Sequence, residues 1–145
     1  LPNPAVQGTF QSALPPGIGV LLAGVSDHVI AKNTVAGNDF VGIAVLGWCT
    51  ANAGGPNNCD AKPPVIGGVL YDPAANDNLV SQNKVSGNGG NPNPLVPFPS
   101  VDILYVQFTN LVEQGGGNCF EKNKPSGFTF VSSEGSLPTD GCKKP

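Results

Sequence analysis

An internal repeat constrains the fold of this chain more than any other feature of its sequence. Residues 27–38 (DHVIAKNTVAGN) align without a gap on residues 77–88 (DNLVSQNKVSGN), and both follow the pattern Asp-x-apolar-apolar-x-x-Asn-x-Val-x-Gly-Asn. Residues 118–125 (NCFEKNKP) form a weaker third copy, in which Cys119 replaces the first apolar residue. Self-similarity of this kind is typical of a stack of equivalent structural units.

A short apolar segment accompanies each copy of the repeat and supplies a second series of equivalent strands. These segments cover residues 19–22, 42–45, 102–105 and 127–130, in that alignment. Each is a few residues long, lies next to Asn or Gly, and shows no helical periodicity. A chain that circles and stacks strand on equivalent strand would hydrogen-bond in parallel to the coil beneath. The sequence therefore predicts an all-β solenoid, a parallel β-helix of about four coils.

Two segments rich in Pro, Gly and Asn interrupt the repeat, and we interpret them as loop inserts. They cover approximately residues 49–75 and 89–100. An alternative interpretation places a complete extra coil at 62–75, because that segment contains two short apolar runs. Under either interpretation, residues 1–145 form a single domain.

The repeat also predicts which residues fill the interior and which lie at the corners. Equivalent apolar residues would stack inside the coils: Val35 on Val85, and Val20, Ile43 and Ile103 in a second column. The corners would carry Asn33, Asn83 and Asn123, because Asn tolerates a positive φ and its amide can bond to the Asn above. We therefore interpret these three asparagines as an internal ladder and not as a binding site.

Composition excludes several classes of function. The formal net charge is −3, and all seven basic residues are lysines. Weak acidity disfavours nucleic acid, which binds to clustered cations. Bidentate recognition of phosphate or carboxylate would need arginine, which the chain lacks. The longest apolar run, residues 17–25, is shorter than the roughly 20 residues of a spanning helix. We expect neither a nucleic-acid partner nor a membrane span.

The two strong repeats resemble those of the right-handed parallel β-helix proteins of the pectin-lyase-like superfamily, which are carbohydrate-active or carbohydrate-binding. The chain resembles in particular bacterial secreted β-helix proteins that end in Gly-Asn-Cys-Phe-x-x-Asn and a final Cys, here residues 117–123 and Cys142. The resemblance covers roughly residues 17–142 and implies a right-handed helix. It says little about function, because many activities and inert scaffolds share this fold.

Four cysteines in a chain of this length indicate an oxidising compartment, and hence a secreted, extracellular or cell-envelope location. Of three possible connectivities, we expect sequential pairing: Cys49–Cys59 would pin an insert, and Cys119–Cys142 would fasten a C-terminal tail. A zinc site that uses all four cysteines is the alternative, although no Cys-x-x-Cys pair is present.

Few residues suggest catalysis. The resemblance implies that a related enzyme would act on acidic polysaccharide with clustered carboxylates and basic partners, often arginine. Asp27 and Asp77 hold equivalent repeat positions and are weak candidates for a shared cation, but we interpret them as turn residues that cap backbone N–H groups. The single histidine, His28, is interpreted as a surface strand residue. We expect no catalytic residue, no bound metal and no cofactor.

Aromatic rings that face solvent can stack on sugars. Trp48 adjoins the first insert, Tyr71 lies within it, and these two are the candidate carbohydrate-binding residues. Further aromatic residues that could serve in this way are Phe98, Tyr105 and Phe108. The structural alternative is that Trp48 covers the disulfide beside it.

Both ends of a solenoid expose strand edges unless something covers them. Residues 132–145 are a candidate lid for the C-terminal end, whereas only residues 1–16 precede the first coil. We therefore expect a C-terminal portion of a longer β-helix, or a first coil that docks on another subunit.

The sequence thus predicts a non-catalytic secreted β-helix module, structural or carbohydrate-facing. The alternative function is a fragment of a lyase- or epimerase-type enzyme that acts on acidic polysaccharide, with its active residues mostly in upstream coils.

Overall fold

Twelve short strands make up most of the part of the chain that the structure describes. The computed structural model describes residues 16–48, 65–66, 69–70, 74–90, 101–106, 116–127, 129–131, 136–139 and 142. The strands are β1 Ile18–Ala23, β2 Val29–Ala31, β3 Thr34–Ala36, β4 Val41–Leu46, β5 Val65–Ile66, β6 Val69–Leu70, β7 Leu79–Ser81, β8 Lys84–Ser86, β9 Val101–Val106, β10 Cys119–Glu121, β11 Lys124–Pro125 and β12 Thr129–Val131. Within these ranges, no helix is both long and apolar enough to cross a membrane.

Ten of the described strands form three parallel sheets. Sheet A has the order β1-β4-β9-β12, sheet B the order β2-β7-β10, and sheet C the order β3-β8-β11. The chain passes from sheet A to B to C and returns to A, one place further along each time. The arrangement is compatible with a β-helix-like solenoid. We call β1, β2 and β3 the first level, β4, β7 and β8 the second, and β9, β10 and β11 the third.

The predicted stacking of apolar residues is confirmed. Val35 pairs in register with Val85, and Ile43 pairs with both Val20 and Ile103. Val85, Ile43 and Ile103 have no exposed surface and belong to one interior cluster. Burial of these side chains is the main favourable term that holds the levels together.

The two central strands of sheet A, β4 and β9, are buried on both faces and mostly apolar. All six residues of β4 and all six of β9 are buried. Ile43 and Val45 belong to the interior cluster, whereas Ala44 and Leu46 belong to a second cluster that includes Phe40. A parallel sheet that is buried on both faces uses nearly continuous apolar runs, which explains the segments VGIAVL and VDILYV.

The first insert contains a hairpin, and the alternative of a complete extra coil at 62–75 is wrong. Strands β5 and β6 pair with each other in antiparallel fashion. A coil of the solenoid would instead pair in parallel with its neighbouring levels.

The register expected for the last strand is wrong by one residue. Thr129 pairs with Ile103, where the sequence alignment placed Phe128. The connection between sheets C and A is also shorter after the third level than after the first. Ile43 follows Thr34 by nine residues, whereas Thr129 follows Lys124, the register equivalent of Thr34, by only five. The third level therefore lacks the last corner of the repeat.

The C-terminal tail lies against the third level. The structure contains the expected disulfide between Cys119 and Cys142. Leu137 packs against the interior cluster, and the backbone N–H of Phe120 donates to the carbonyl of Pro138 at 2.9 Å. The tail thus satisfies a donor on the edge strand β10. The other predicted disulfide, Cys49–Cys59, lies outside the described residues.

Candidate functional site

Polar residues at the corners of the solenoid form three columns that run from level to level. The corner between sheets A and B carries His28, Asn78 and Asn118. The corner between B and C carries Asn33, Asn83 and Asn123, and the corner between C and A carries Asn38 and Asn88. We call these the first, second and third ladders. Only the second was predicted, although the five-residue spacing of Asn78, Asn83 and Asn88 was a usable signal for all three.

The second ladder shows how the levels are joined. Asn83 Nδ2 donates to Asn123 Oδ1 at 3.0 Å in the level below, and to the carbonyl of Ile30 at 2.9 Å in the level above. Asn83 Oδ1 accepts from the backbone N–H and from Nδ2 of Asn33, at 2.9 and 3.1 Å. All four hydrogen-bonding positions of this fully buried amide are therefore filled. At Asn83, the second ladder is internal structure and leaves no group for a ligand.

The expectation that the ladder asparagines adopt a positive φ is wrong. The residue immediately before each ladder residue has the positive φ instead, and the non-glycine examples are Asp27 (61°), Lys32 (60°), Asp77 (51°), Gln82 (55°) and Lys122 (54°). The residue before each ladder asparagine makes the left-handed turn. This turn lets the backbone N–H and the side-chain amide of the asparagine point along the stack, toward the next level. Each such residue accepts a strain that L-residues rarely tolerate outside a fixed turn.

Asp102 completes the third ladder and was not predicted as a special residue. Its side chain is almost fully buried. Oδ1 accepts from Asn88 Nδ2 at 2.7 Å and from the Asn88 backbone N–H at 3.3 Å, while Oδ2 accepts from the N–H groups of Ser126 (2.9 Å) and Gly127 (2.7 Å). Because the third level lacks the last corner, this carboxylate replaces the missing amide. An Asp within an otherwise apolar strand was the sequence signal.

The candidate metal residues Asp27 and Asp77 lie at successive levels of the first corner, and both are exposed. The Asp77 carboxylate lies over Gly117, at the third place of this column, where a Cβ would collide with it. Within the described ranges, no group of three or more His, Cys, Asp or Glu residues could hold a metal ion. His28 is exposed, and its Nδ1 lies 2.7 Å from the carbonyl of Ser26.

The predicted aromatic platform is not assembled in the described part of the chain. Trp48 is half-buried, and Tyr71 lies outside the described residues, as do Phe98 and Phe108. The suggestion that Tyr105 could stack on a sugar is wrong, because its ring is buried and lies 5.2 Å from the ring of Phe120.

A group of lysines lies on the outer side of sheet C. Lys84 and Lys124 are neighbours in register on that sheet, and Lys32 and Lys122 lie at the adjoining corner, two levels apart. All four are exposed, and they are the only basic residues other than His28 in the described ranges. Lys122 Nζ lies 3.8 Å from a carboxylate oxygen of Glu121. We call these four residues the lysine face.

The lysine face contains every lysine of the described ranges, all of them exposed. Stacked strands lie about 4.8 Å apart, so the Cα atoms of Lys84 and Lys124 are close, and like charges at such neighbouring positions are mildly destabilising. A bound polyanion would relieve that repulsion. Sequence analysis missed this face because its members come from different copies of the repeat.

Comparisons with protein-family models, curated proteins and solved structures give no match to this chain. Function is therefore inferred from the ladders, the C-terminal disulfide and the lysine face.

Proposed function

We propose that this chain is a secreted, non-catalytic β-helix module whose lysine face binds acidic polysaccharide. The module would be a right-handed parallel β-helix of about four coils, similar to the pectin-lyase-like proteins that its repeats resemble. The observation that carries this proposal is the lysine face, four exposed cations in a chain whose net charge is −3.

The structural part of the proposal is supported by the use made of buried polar residues. Asn78, Asn83, Asn118 and Asp102 are all buried and all hydrogen-bonded between levels. Groups of this kind could carry chemistry if they were free, but here their donors and acceptors hold successive levels in register. Such polar networks specify a unique arrangement when every member is satisfied.

The binding part of the proposal is supported by the geometry of the charges. A linear polymer with a carboxylate on each sugar could place successive carboxylates near Lys84 and Lys124 in adjacent strands. Lysine acts as a flexible point charge, so it suits a repeating polyanion that lacks one fixed docking geometry. Interactions between exposed charges are strongly screened by salt. Binding should therefore weaken as ionic strength rises.

The location is supported by the Cys119–Cys142 disulfide. Structural disulfides persist in oxidising compartments and are rare in the cytosol. A secreted or cell-envelope module would also meet polysaccharide there.

Binding to polygalacturonate, measured by isothermal titration calorimetry, tests the proposal. We expect binding at low salt, at least about tenfold weaker binding at 0.5 M NaCl, and no binding to neutral dextran. The variant K84Q/K124Q should lose most of the affinity, while K84R/K124R, which keeps both charges, should retain it. Equal binding by K84Q/K124Q and the native protein would contradict the role of the lysine face. Release of unsaturated sugar, detected by ultraviolet absorbance, would contradict the absence of catalysis.

A further inference from the structure

The second and third ladders end at the first level. In the lower levels, the side-chain oxygen of every asparagine in these two ladders accepts hydrogen bonds. Asn83 Oδ1 and Asn88 Oδ1 each accept two hydrogen bonds from the asparagine one level above. In the described part of the chain, the Oδ1 atoms of Asn33 and Asn38 accept none. The amide of Asn33 also turns one donor onto its own loop, at the carbonyl of Ala31, 3.1 Å away.

The apolar interior is likewise less covered at the first level than below it. Val20, Val25 and Ile30 pack on the interior cluster but are only partly buried, whereas Val80, the neighbour of Ile30 in register, has no exposed surface. At the opposite end, Leu137 packs against this same cluster. The strands of the first level, β1, β2 and β3, each lie at the edge of their described sheet. Both the hydrogen bonding of the ladders and the burial of the apolar interior are therefore incomplete at the first level.

We infer that the first level is the docking edge for one further parallel coil, with Asn at its second and third corners, donated by a polypeptide segment outside residues 1–145. Each free Oδ1 can accept from two donors on one asparagine of the docking coil, the backbone N–H and the side-chain Nδ2. The same two donors of an asparagine fill the Oδ1 beneath it in the lower levels. The docking coil thus continues both ladders and covers Val20, Val25 and Ile30.

Other occupants fit this edge less well. Residues 1–15 contain a single asparagine, Asn3, and so cannot supply two asparagines five residues apart. Asn52 and Asn57 have that spacing, but they belong to an insert that begins after β4 and ends before β7, both of which are at the second level. A second copy of the chain would have to present its third level, but Leu137 and Pro138 already cover that end. Two first-level edges facing each other would run antiparallel, which does not reproduce the ladder geometry. The first corner needs no asparagine from the partner, because its column ends in His28.

An elongated protein tests the inference directly. Residues 19–41 are duplicated in tandem within the full chain, so that the copied coil precedes the native first level in phase. Gly19 and Gly42 hold equivalent register positions, which keeps the junction native-like. The copied asparagines then face the native Asn33 and Asn38. We expect the thermal midpoint to rise by at least about 5 °C, because each stacked repeat adds an interface.

A matched control separates ladder docking from the mere addition of apolar residues. In this control, the copied coil carries Asn33→Ala and Asn38→Ala, and most of the gain in thermal midpoint should be lost. Hydrogen exchange should show slower exchange of β2 and β3 amides in the elongated protein than in the native chain. Unchanged midpoints together with unchanged exchange would overturn the inference. So would a native-chain dimer, detected by light scattering, that the elongation abolishes, because the occupant would then be a second copy.

The outcome does not depend on the proposed polysaccharide binding. The lysine face lies on the outer side of sheet C, whereas docking uses the edge of the first level. Failure of either experiment therefore leaves the other interpretable.

Discussion

Asp102 shows how a single carboxylate can replace a missing corner. Its two oxygens accept from two groups of Asn88 and from two backbone N–H groups that follow β11. An acceptor-only group suits this position, since all four neighbours are donors. An amide would bring one of its own N–H groups against a donor, whichever way it turned.

We therefore predict that Asp102→Asn destabilises the protein by about 1–3 kcal/mol, the cost of leaving buried polar groups unsatisfied. Urea denaturation measures the change. Asp39→Asn is the control, because Asp39 is exposed and should change stability by less than about 0.5 kcal/mol. Equal stability of the Asp102 variant and the native protein would contradict the role assigned to the carboxylate.

Gly42 belongs to the same local arrangement, one level above Asp102. A Cβ at Gly42 would lie 2.6 Å from the carbonyl oxygen of Asp102, 2.6 Å from Val85 Cγ1 and 2.7 Å from Asn88 Nδ2. The ladder thus needs a residue without a side chain at this point in β4. Gly19 holds the equivalent place in β1, with Asn38 and Val35 as its close neighbours.

Replacement of Gly42 by alanine should cost about 1–3 kcal/mol, because a methyl group forces tightly packed backbone and side chains apart. Gly90→Ala is the matched control, since a Cβ there would meet nothing within 4 Å. The difference between the two midpoints in a urea titration measures the effect. A Gly42 variant no less stable than the Gly90 variant would refute the close packing.

At the scale of strands, sequence reasoning succeeded where two copies of the repeat could be compared directly. The pairing of Val35 with Val85 follows from such an alignment, and so does the pairing of Ile43 with Ile103. It failed by one residue at β12, where the third copy of the repeat is too weak to fix the register: the alignment placed Phe128 opposite Ile103, and the structure places Thr129 there. A one-residue change of register matters, since it exchanges the two faces of a strand.

The candidate site was harder to predict than the strands, because part of it depends on contacts between distant copies of the repeat. A ladder is a property of one corner, and its five-residue spacing is visible in the sequence. The lysine face instead depends on which residues of distant copies become neighbours, as Lys84 and Lys124 do. Asp102 was inconspicuous because its importance arises from a corner that the third level lacks.

On the scale of the whole molecule, the two ends of the stack are not equivalent. The strands of the second level have neighbours on both sides, whereas those of the first level have a neighbour on one side only in the described part of the chain. At the third level, the tail contributes a disulfide to Cys119 and an acceptor to the N–H of Phe120. In stacked repeats, stability is approximately a sum of nearest-neighbour terms, so an end with fewer contacts opens first.

We therefore predict that native-state hydrogen exchange is fastest in β2 and β3, slowest in β7 and β8, and slow in β10 while the disulfide is intact. Removal of the bridge in the variant C119S/C142S should accelerate exchange in β10 and leave β2 nearly unchanged. The same variant should lose about 3 kcal/mol of stability, because a loop of 23 residues is no longer closed in the unfolded chain. Uniform exchange across the three levels would mean that the stack opens as one unit. It would then contradict the idea that the first level is less complete than the others and serves as the docking edge.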